Sequence, residues 1–129
     1  MKIKLRKVDN DFRKYMRLLE DFTCQRCGKK YVFDGVAVSN LRNLGVSHYY
    51  GRKRENTRFD IENCDLLCNF ECHYLWEHEE RAKYTEFMIK KLGQEGFDLL
   101  TLRSQTYKER DDFTVSLQLK YMMEELGGK

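Results

Sequence analysis

Apolar residues near the N-terminus recur at the spacing of one helical face. These residues are Phe12, Met16, Leu19 and Phe22. The spacing predicts an amphipathic helix with Asp9 or Asn10 as its N-terminal cap. Seven basic side chains lie between Lys2 and Arg17, so the polar face of this helix would either be solvated or contact phosphate groups.

The second half of the chain carries longer helical patterns. One helix is predicted over residues 69–92, ending at Gly93. A short helix over residues 97–105 and a third over about residues 111–126 would follow it. Two glycines, at positions 127 and 128, would end the last helix.

Between these helical ends, short β-rich runs occur at residues 31–33 and 46–50, separated by glycine turns. This order predicts a small α+β protein, and 129 residues with 41% hydrophobic content suffice for one modest core. No apolar run reaches the roughly 18 residues of a membrane span, and no secretory signal is recognisable. We therefore expect a cytoplasmic protein with no membrane contact. Monomer and homodimer remain open.

The five cysteines are concentrated in less than half of the chain, and four of them form two close pairs. Cys24 and Cys27 have the spacing of a zinc knuckle, with a glycine directly behind them, while Cys68 and Cys72 are separated by three residues. Because an intracellular chain is not expected to rely on disulfides, the pairs predict one structural zinc ion. Cys64 is either an alternative partner of Cys68 or a small buried residue.

A strongly basic loop precedes an acidic stretch. The basic side chains are Arg52, Lys53, Arg54 and Arg58, whereas residues 60–80 carry seven carboxylates without a lysine or arginine. Guanidinium groups bind phosphate oxygens well. The loop is therefore predicted to contact the phosphate groups of a nucleic acid, with a solvated charged turn as the alternative.

The segment from Val46 to His73 resembles the motif of HNH nucleases, in which two strands and a helix wrap one metal ion. His48, Asn63 and His73 occur in the order of that motif. The stretch over residues 91–121 is similar to the tail of phage NinG/Rap-type recombination nucleases. The resemblance implies a zinc-stapled ββα-metal (treble-clef) core in residues 23–80, between a basic N-terminal helix (1–22) and a helical tail (81–129), all in one compact domain.

By this resemblance the protein would be a metal-dependent DNA endonuclease of phage or prophage origin, with recombination junctions among its candidate substrates. His48 would be the general base, because a neutral imidazole accepts a proton readily near pH 7. Asn63 and His73 would hold a catalytic Mg²⁺ or Mn²⁺ or the loop around it, with Asp60 as a further candidate ligand. Asn63 would alternatively bond only to backbone.

The chain departs from the family directly before the proposed base. Many members have an aspartate there, and this chain has Ser47; a hydroxyl is a poor ligand for Mg²⁺ or Mn²⁺. The missing carboxylate would come from Asp60, or the site would use His73 with Glu77 or His78. A different interpretation stays open, in which a treble-clef zinc module binds nucleic acid or protein without cutting.

Overall fold

The computed structural model describes residues 3–127 and shows an α+β architecture of four α-helices and two small antiparallel sheets. Two predicted positions lie outside this range: Lys2, placed in the basic N-terminal segment, and Gly128, placed after the last helix. The elements are α1 (Lys7–Leu19), β1 (Val32–Phe33), β2 (Val36–Ala37), β3 (Leu44–His48), α2 (Glu55–Arg58), β4 (Cys64–Cys68), α3 (Arg81–Gln105) and α4 (Asp112–Gly127). Within residues 3–127, no helix combines the length and the apolar character that crossing a membrane requires.

Helix α1 begins before the predicted cap. Asp9 lies in its first turn, where one carboxylate oxygen accepts the backbone N–H of Arg6 at 2.7 Å. Phe12 and Met16 are buried as predicted, but Leu19 ends the helix and remains 40% exposed. Phe22 lies beyond the helix with a φ of 51°. The predicted cap was therefore wrong, because the aspartate caps from inside the first turn.

The centre of the fold is the antiparallel β3–β4 pair, in which Val46 faces Leu66 and His48 faces Cys64. All five residues of β4 are buried. Successive side chains of β3 point to opposite sides. His48 lies near Phe12 of α1, with ring centroids 6.4 Å apart, whereas the preceding serine is directed toward α3.

The segment after β4 differs from the single helix predicted over residues 69–92. Residues 69–73 and 75–79 form two short π-helical turns, and α3 starts only at Arg81. The break occurs at Glu80, whose φ of −123° and ψ of 40° leave the helical region. Gly93 does interrupt the helical backbone, with a φ of 77°, and the helix continues beyond it to Gln105.

One hydrophobic cluster connects these elements. It extends from α1 through the β3–β4 pair to α3 and α4, and α4 packs along α1. Its fully buried large side chains are Phe12, Met16, Tyr31, Leu44, Leu66, Leu67, Tyr84, Met88 and Leu100. This packing places the knuckle, the end of β3 and the π-helical turns on neighbouring parts of the molecule.

Candidate functional site

The four paired cysteines come together in space. The Sγ atoms of Cys24, Cys27, Cys68 and Cys72 all lie within 4.8 Å of one another, and Cys27 and Cys68 are 3.7 Å apart. A tetrahedral zinc ion with Zn–S bonds of about 2.3 Å separates its sulfur ligands by about 3.8 Å. A disulfide would need about 2.05 Å. The cluster predicted from the spacing is confirmed, and it could bind a structural metal ion such as zinc.

Local backbone geometry directs the sulfurs inward. The knuckle turns at Gly28, whose φ is 78° and whose N–H donates to the carbonyl of Cys24 at 2.9 Å. The backbone N–H groups of Cys27 and Cys68 both point at the Sγ of Cys24, at 3.5 and 3.4 Å. Gln25 anchors the knuckle to β4 by donating its N–H to the carbonyl of Leu66 at 2.9 Å.

The surroundings of the sulfurs also suit bound metal. Burial raises the pKa of the Cys68 thiol to about 12 and that of the Cys72 thiol to about 11. Coordination overcomes such shifts, because a metal-bound thiol is deprotonated outright. The Nη1 of Arg26 lies 3.4 Å from the Sγ of Cys72, and the hydroxyl of Tyr31 lies 3.0 Å from that of Cys68. Both groups can donate to thiolates.

Cys64 is separate from this cluster. It is completely buried opposite His48 in the β-ladder, and burial raises the pKa of its thiol well above the ordinary value. Its pairing with Cys68 as an alternative metal site is therefore excluded by the geometry. The thiol is a small, unreactive core group.

His48 ends β3 with only 7% of its surface exposed. Its Nε2 lies 2.8 Å from the carbonyl oxygen of Arg58. Because a carbonyl can only accept a hydrogen bond, Nε2 carries the proton and Nδ1 is left with a free lone pair. Burial, followed by the positive charge of Arg52, lowers the pKa of His48 to about 3. The ring is thus neutral at pH 7, and an approaching anion would raise its basicity.

Asn63 is buried and fully engaged with backbone. Its Oδ1 accepts the N–H of Tyr50 at 2.9 Å, and its Nδ2 donates to the carbonyls of Tyr50 and Thr57 at 2.9 and 3.0 Å. These bonds close the loop between β3 and β4. The sequence left open whether Asn63 holds a metal ion or bonds only to backbone, and in the structure its side chain bonds to backbone.

His73 and Glu77 form a second polar pair in the same cleft as His48. The Nε2 of His73 lies 2.7 Å from Oε1 of Glu77. Burial alone would raise the pKa of Glu77, but the hydrogen bond from His73 holds it below the ordinary value. The cleft, about 190 Å³ in volume, separates α1 from β3 and the π-helical turns. A smaller adjoining pocket brings His48, Arg52, His73 and Glu77 together.

Two other candidates lie elsewhere. Asp60 accepts the N–H of Glu62 at 3.0 Å and the Nε of Arg103 at 2.9 Å, and it does not line the histidine cleft. Ser47 is buried on the opposite face of β3, with its hydroxyl 2.8 Å from that of Tyr84. Across residues 3–127, the cysteine cluster is the only group of three or more potential ligands close enough to hold a metal ion. The histidines and Glu77 share a cleft without forming such a group.

The four basic residues of the predicted DNA-binding loop occupy different environments. Arg58 is only 5% exposed, and its Nε and Nη2 bind the carboxylate of Asp9 at 3.1 and 2.6 Å. Its expected contact with phosphate is therefore replaced by an internal ion pair. Arg52 lines the histidine cleft, whereas Lys53 and Arg54 are exposed. The guanidinium of Arg54 also donates to a carbonyl near the end of α3 at 3.2 Å.

One wall of the cleft is formed by α1, and the sequence motif did not predict it. Asp9 and Arg13 both line it, and they are four residues apart, so they lie on one helical face. That spacing was available in the sequence. Only the packing of α1 against β3 shows that this face meets the histidines.

No protein-family model, curated protein or solved structure matches this chain. The resemblance to HNH nucleases therefore rests on the sequence motif alone.

Proposed function

We propose that the protein is a metal-dependent DNA endonuclease of the HNH type, with His48 as its general base. One observation carries the proposal: the Nε2–H of His48 is held by the Arg58 carbonyl, in the same cleft as the His73–Glu77 pair. A fixed neutral imidazole with a free Nδ1 lone pair is the form that removes a proton from water.

In this mechanism, Nδ1 of His48 takes the proton of the water that attacks the phosphorus atom. Arg52 lies in the same pocket and binds the non-bridging phosphate oxygens, which keeps the phosphate beside the base. The negative charge of the phosphate raises the pKa of His48 from its low value in the free protein. Binding of DNA thereby strengthens the base at the point where it is needed.

A divalent cation would be held by His73 and Glu77, and it would neutralise charge on the phosphate and on the leaving 3′ oxygen. Imidazole and carboxylate ligands suit Mn²⁺, and Mg²⁺ commonly uses one or two carboxylates together with water and phosphate oxygens. Two protein donors therefore fit a site that is completed by substrate. The four-cysteine cluster would hold a separate structural zinc ion.

The treble-clef assignment is part of the same proposal. It is supported by the order of the elements, in which a knuckle precedes two paired strands and a helical segment carries the last cysteine and the last histidine. Zinc in this arrangement would tie the knuckle to the end of β4 and so fix the strands that carry His48. Phage origin and a role in recombination follow only from the resemblance of the tail.

The test is cleavage of supercoiled plasmid and of a four-way junction in Mg²⁺ or Mn²⁺, with the divalent ion left out of the buffer as the blank. His48→Ala should lower the rate by roughly 10² to 10⁴, the usual contribution of a general base, while zinc content and DNA affinity persist. His78→Ala is the matched control, because this exposed histidine lines neither pocket and its ring lies tilted against Tyr74, with centroids 4.8 Å apart. The control should cleave like the wild type.

His73→Ala separates metal binding from proton transfer. Its activity should fall and partly return at high Mn²⁺, because mass action refills a weakened site. Cleavage by His48→Ala at the wild-type rate would eliminate His48 as the base. No cleavage by the wild type with any divalent ion would favour the second candidate, a non-catalytic zinc module that binds nucleic acid. That candidate is supported by the buried position of Ser47, which leaves the cleft without the usual carboxylate before the base.

A further inference from the structure

The α1 wall of the histidine cleft carries a positive charge that has no ion-pair partner among residues 3–127. Arg13 lines the cleft, and its Nε is buried without a hydrogen-bond acceptor among residues 3–127. Arg52 also lines the cleft, and its Nε is likewise buried without an acceptor. Buried donors are normally satisfied, and each one left unpaired lowers stability. Arg13 and Arg52 thus both line one cleft, and each has a buried Nε without an acceptor among residues 3–127.

The charges around the cleft favour an anion. The carboxylate of Asp9 also lines it, but both oxygens of that group are already bonded to Arg58. The Nε of Arg52 is 3.8 Å from the same carboxylate, beyond hydrogen-bond distance. One carboxylate is thus shared by Arg58 and Arg52, and Arg13 adds a further positive charge. A tetrahedral anion in the cleft could accept hydrogen bonds from both guanidinium groups, whose planar forks match its oxygens.

We propose that Arg13 and Arg52 together bind a phosphate group of the DNA backbone beside His48, an inference that rests on the proposed function. The backbone then crosses the face of α1 instead of following the whole loop over residues 52–58. The burial of Arg58 against Asp9 is consistent with this path, because that arginine is not free to contact a substrate. Arg13 is a binding residue in this scheme and takes no part in proton transfer.

Lys14 offers a matched control for Arg13. It is the next residue of the same helix and carries the same charge, but it lines a separate groove against α4. Binding of a fluorescein-labelled DNA duplex is measured by anisotropy in buffer without added Mg²⁺ or Mn²⁺, so that the structural zinc stays bound and no cleavage occurs. Arg13→Ala should weaken binding by about tenfold or more, as expected for a hydrogen bond to a charged group. It should also reduce the slope of log K against log salt by about 0.9, whereas Lys14→Ala should change both less.

Arg13→Lys tests the geometry of the contact. It keeps the charge but loses the planar fork, so it should recover only part of the affinity. Circular dichroism establishes whether each variant folds. If Arg13→Ala does not fold, Arg13→Gln replaces it in the same comparison, because glutamine keeps much of the aliphatic stem. Equal losses for the Arg13 and Lys14 variants would overturn the proposal.

Inorganic phosphate distinguishes a backbone phosphate from a small free anion. Thermal stabilisation of the wild type by millimolar phosphate, together with unchanged duplex binding by Arg13→Ala, would overturn the DNA assignment. Measuring binding without the catalytic cation also separates this inference from the proposed function. Wild-type protein that binds through Arg13 but never cuts would refute the endonuclease and support the binding site. Cleavage by the wild type together with normal DNA binding by Arg13→Ala would support the endonuclease and refute the Arg13 binding site.

Discussion

Replacing Asp9 by asparagine should strongly destabilise the protein. The side chains of Asp9 and Arg58 are 4% and 7% exposed, and their closest atoms are 2.6 Å apart. Arg58 also donates to the carbonyl of Lys4 at 3.1 Å, so the pair ties α1 and the segment before it to the loop that carries the His48 acceptor. Asparagine fills the same space but leaves the guanidinium buried without its counter-ion.

Removing one partner of a buried ion pair costs about 3–5 kcal/mol, because the remaining charge stays desolvated. The total stability of a domain is about 5–15 kcal/mol, so this loss is a large share of it. For a chain of this length the melting temperature should fall by roughly 10 °C or more. The hydrogen bond from the Arg6 backbone to Asp9 is weakened as well.

Urea unfolding at pH 7 measures the change, and Asp11→Asn is the control. Asp11 lies on the same helix and pairs with Lys7 at 3.0 Å, but that lysine side chain is 86% exposed. An exposed i,i+4 pair contributes only about 0.3–0.5 kcal/mol. Equal effects of the two substitutions would refute the argument that burial makes the Asp9 pair important.

The pH dependence gives a second check on Asp9. Burial would raise the pKa of this carboxyl, but the hydrogen bond and charge of Arg58 hold it below the ordinary 3.8. A depressed folded-state pKa stabilises the protein above the unfolded value, and that contribution is lost as the pH falls through the folded value. The difference between wild type and Asp9→Asn should therefore shrink below about pH 4.

Three further predictions concern other parts of the fold. Chelation of the metal, or Cys72→Ser, should unfold the core, since structural zinc supplies about 10–16 kcal/mol of folding free energy in small domains. Cys64→Ala should lower the free energy of unfolding by only about 1–2 kcal/mol. Elemental analysis and circular dichroism of each variant check both predictions. Ser47→Asp should destabilise the protein by several kcal/mol and not raise activity, because it buries a carboxylate against Tyr84. The urea unfolding midpoint measures the loss of stability, and plasmid cleavage measures the activity. Burial and the nearby Asp65 carboxylate raise the pKa of Glu20 in the folded protein to about 9. The protonated Glu20 therefore stabilises the fold fully below the unfolded-state pKa near 4.5, and this contribution is lost as the pH rises to about 9. Glu20→Gln should flatten this decline, and urea unfolding at pH 6 and pH 9 measures it.

The Glu20 prediction has a structural basis beyond its titration. One oxygen of Glu20 accepts the backbone N–H of Leu66 at 2.7 Å, and the carboxyl also meets that of Asp65. Asp65 is buried, and its Oδ2 pairs with Lys91 at 2.7 Å. Its other oxygen, Oδ1, has no hydrogen-bond partner among residues 3–127. A proton on Glu20 would satisfy that oxygen. Glutamine reproduces this donor at every pH, which is why it should remove the pH dependence.

Local spacing determined the two cysteine pairs and most of the helical content. Cys24 and Cys27 reach one ion through a tight turn, so their role depends on few other residues. The α4 helix lies within one residue of its predicted bounds, and Gly93 interrupts a helix as expected. These features could be predicted because the interactions that produce them connect residues close together in the chain.

Tertiary packing alone decided the environment of the candidate site. The sequence does not show that Asp9 meets Arg58, 49 residues away, or that β3 turns Ser47 toward α3 and His48 toward α1. Alternation along a strand specifies two faces, but which element covers each face depends on the whole core. The same packing buries His48, sets its tautomer and places Arg13 on the opposite wall. Charge and burial at this site depend on distant residues, so they are decided only when the chain has folded.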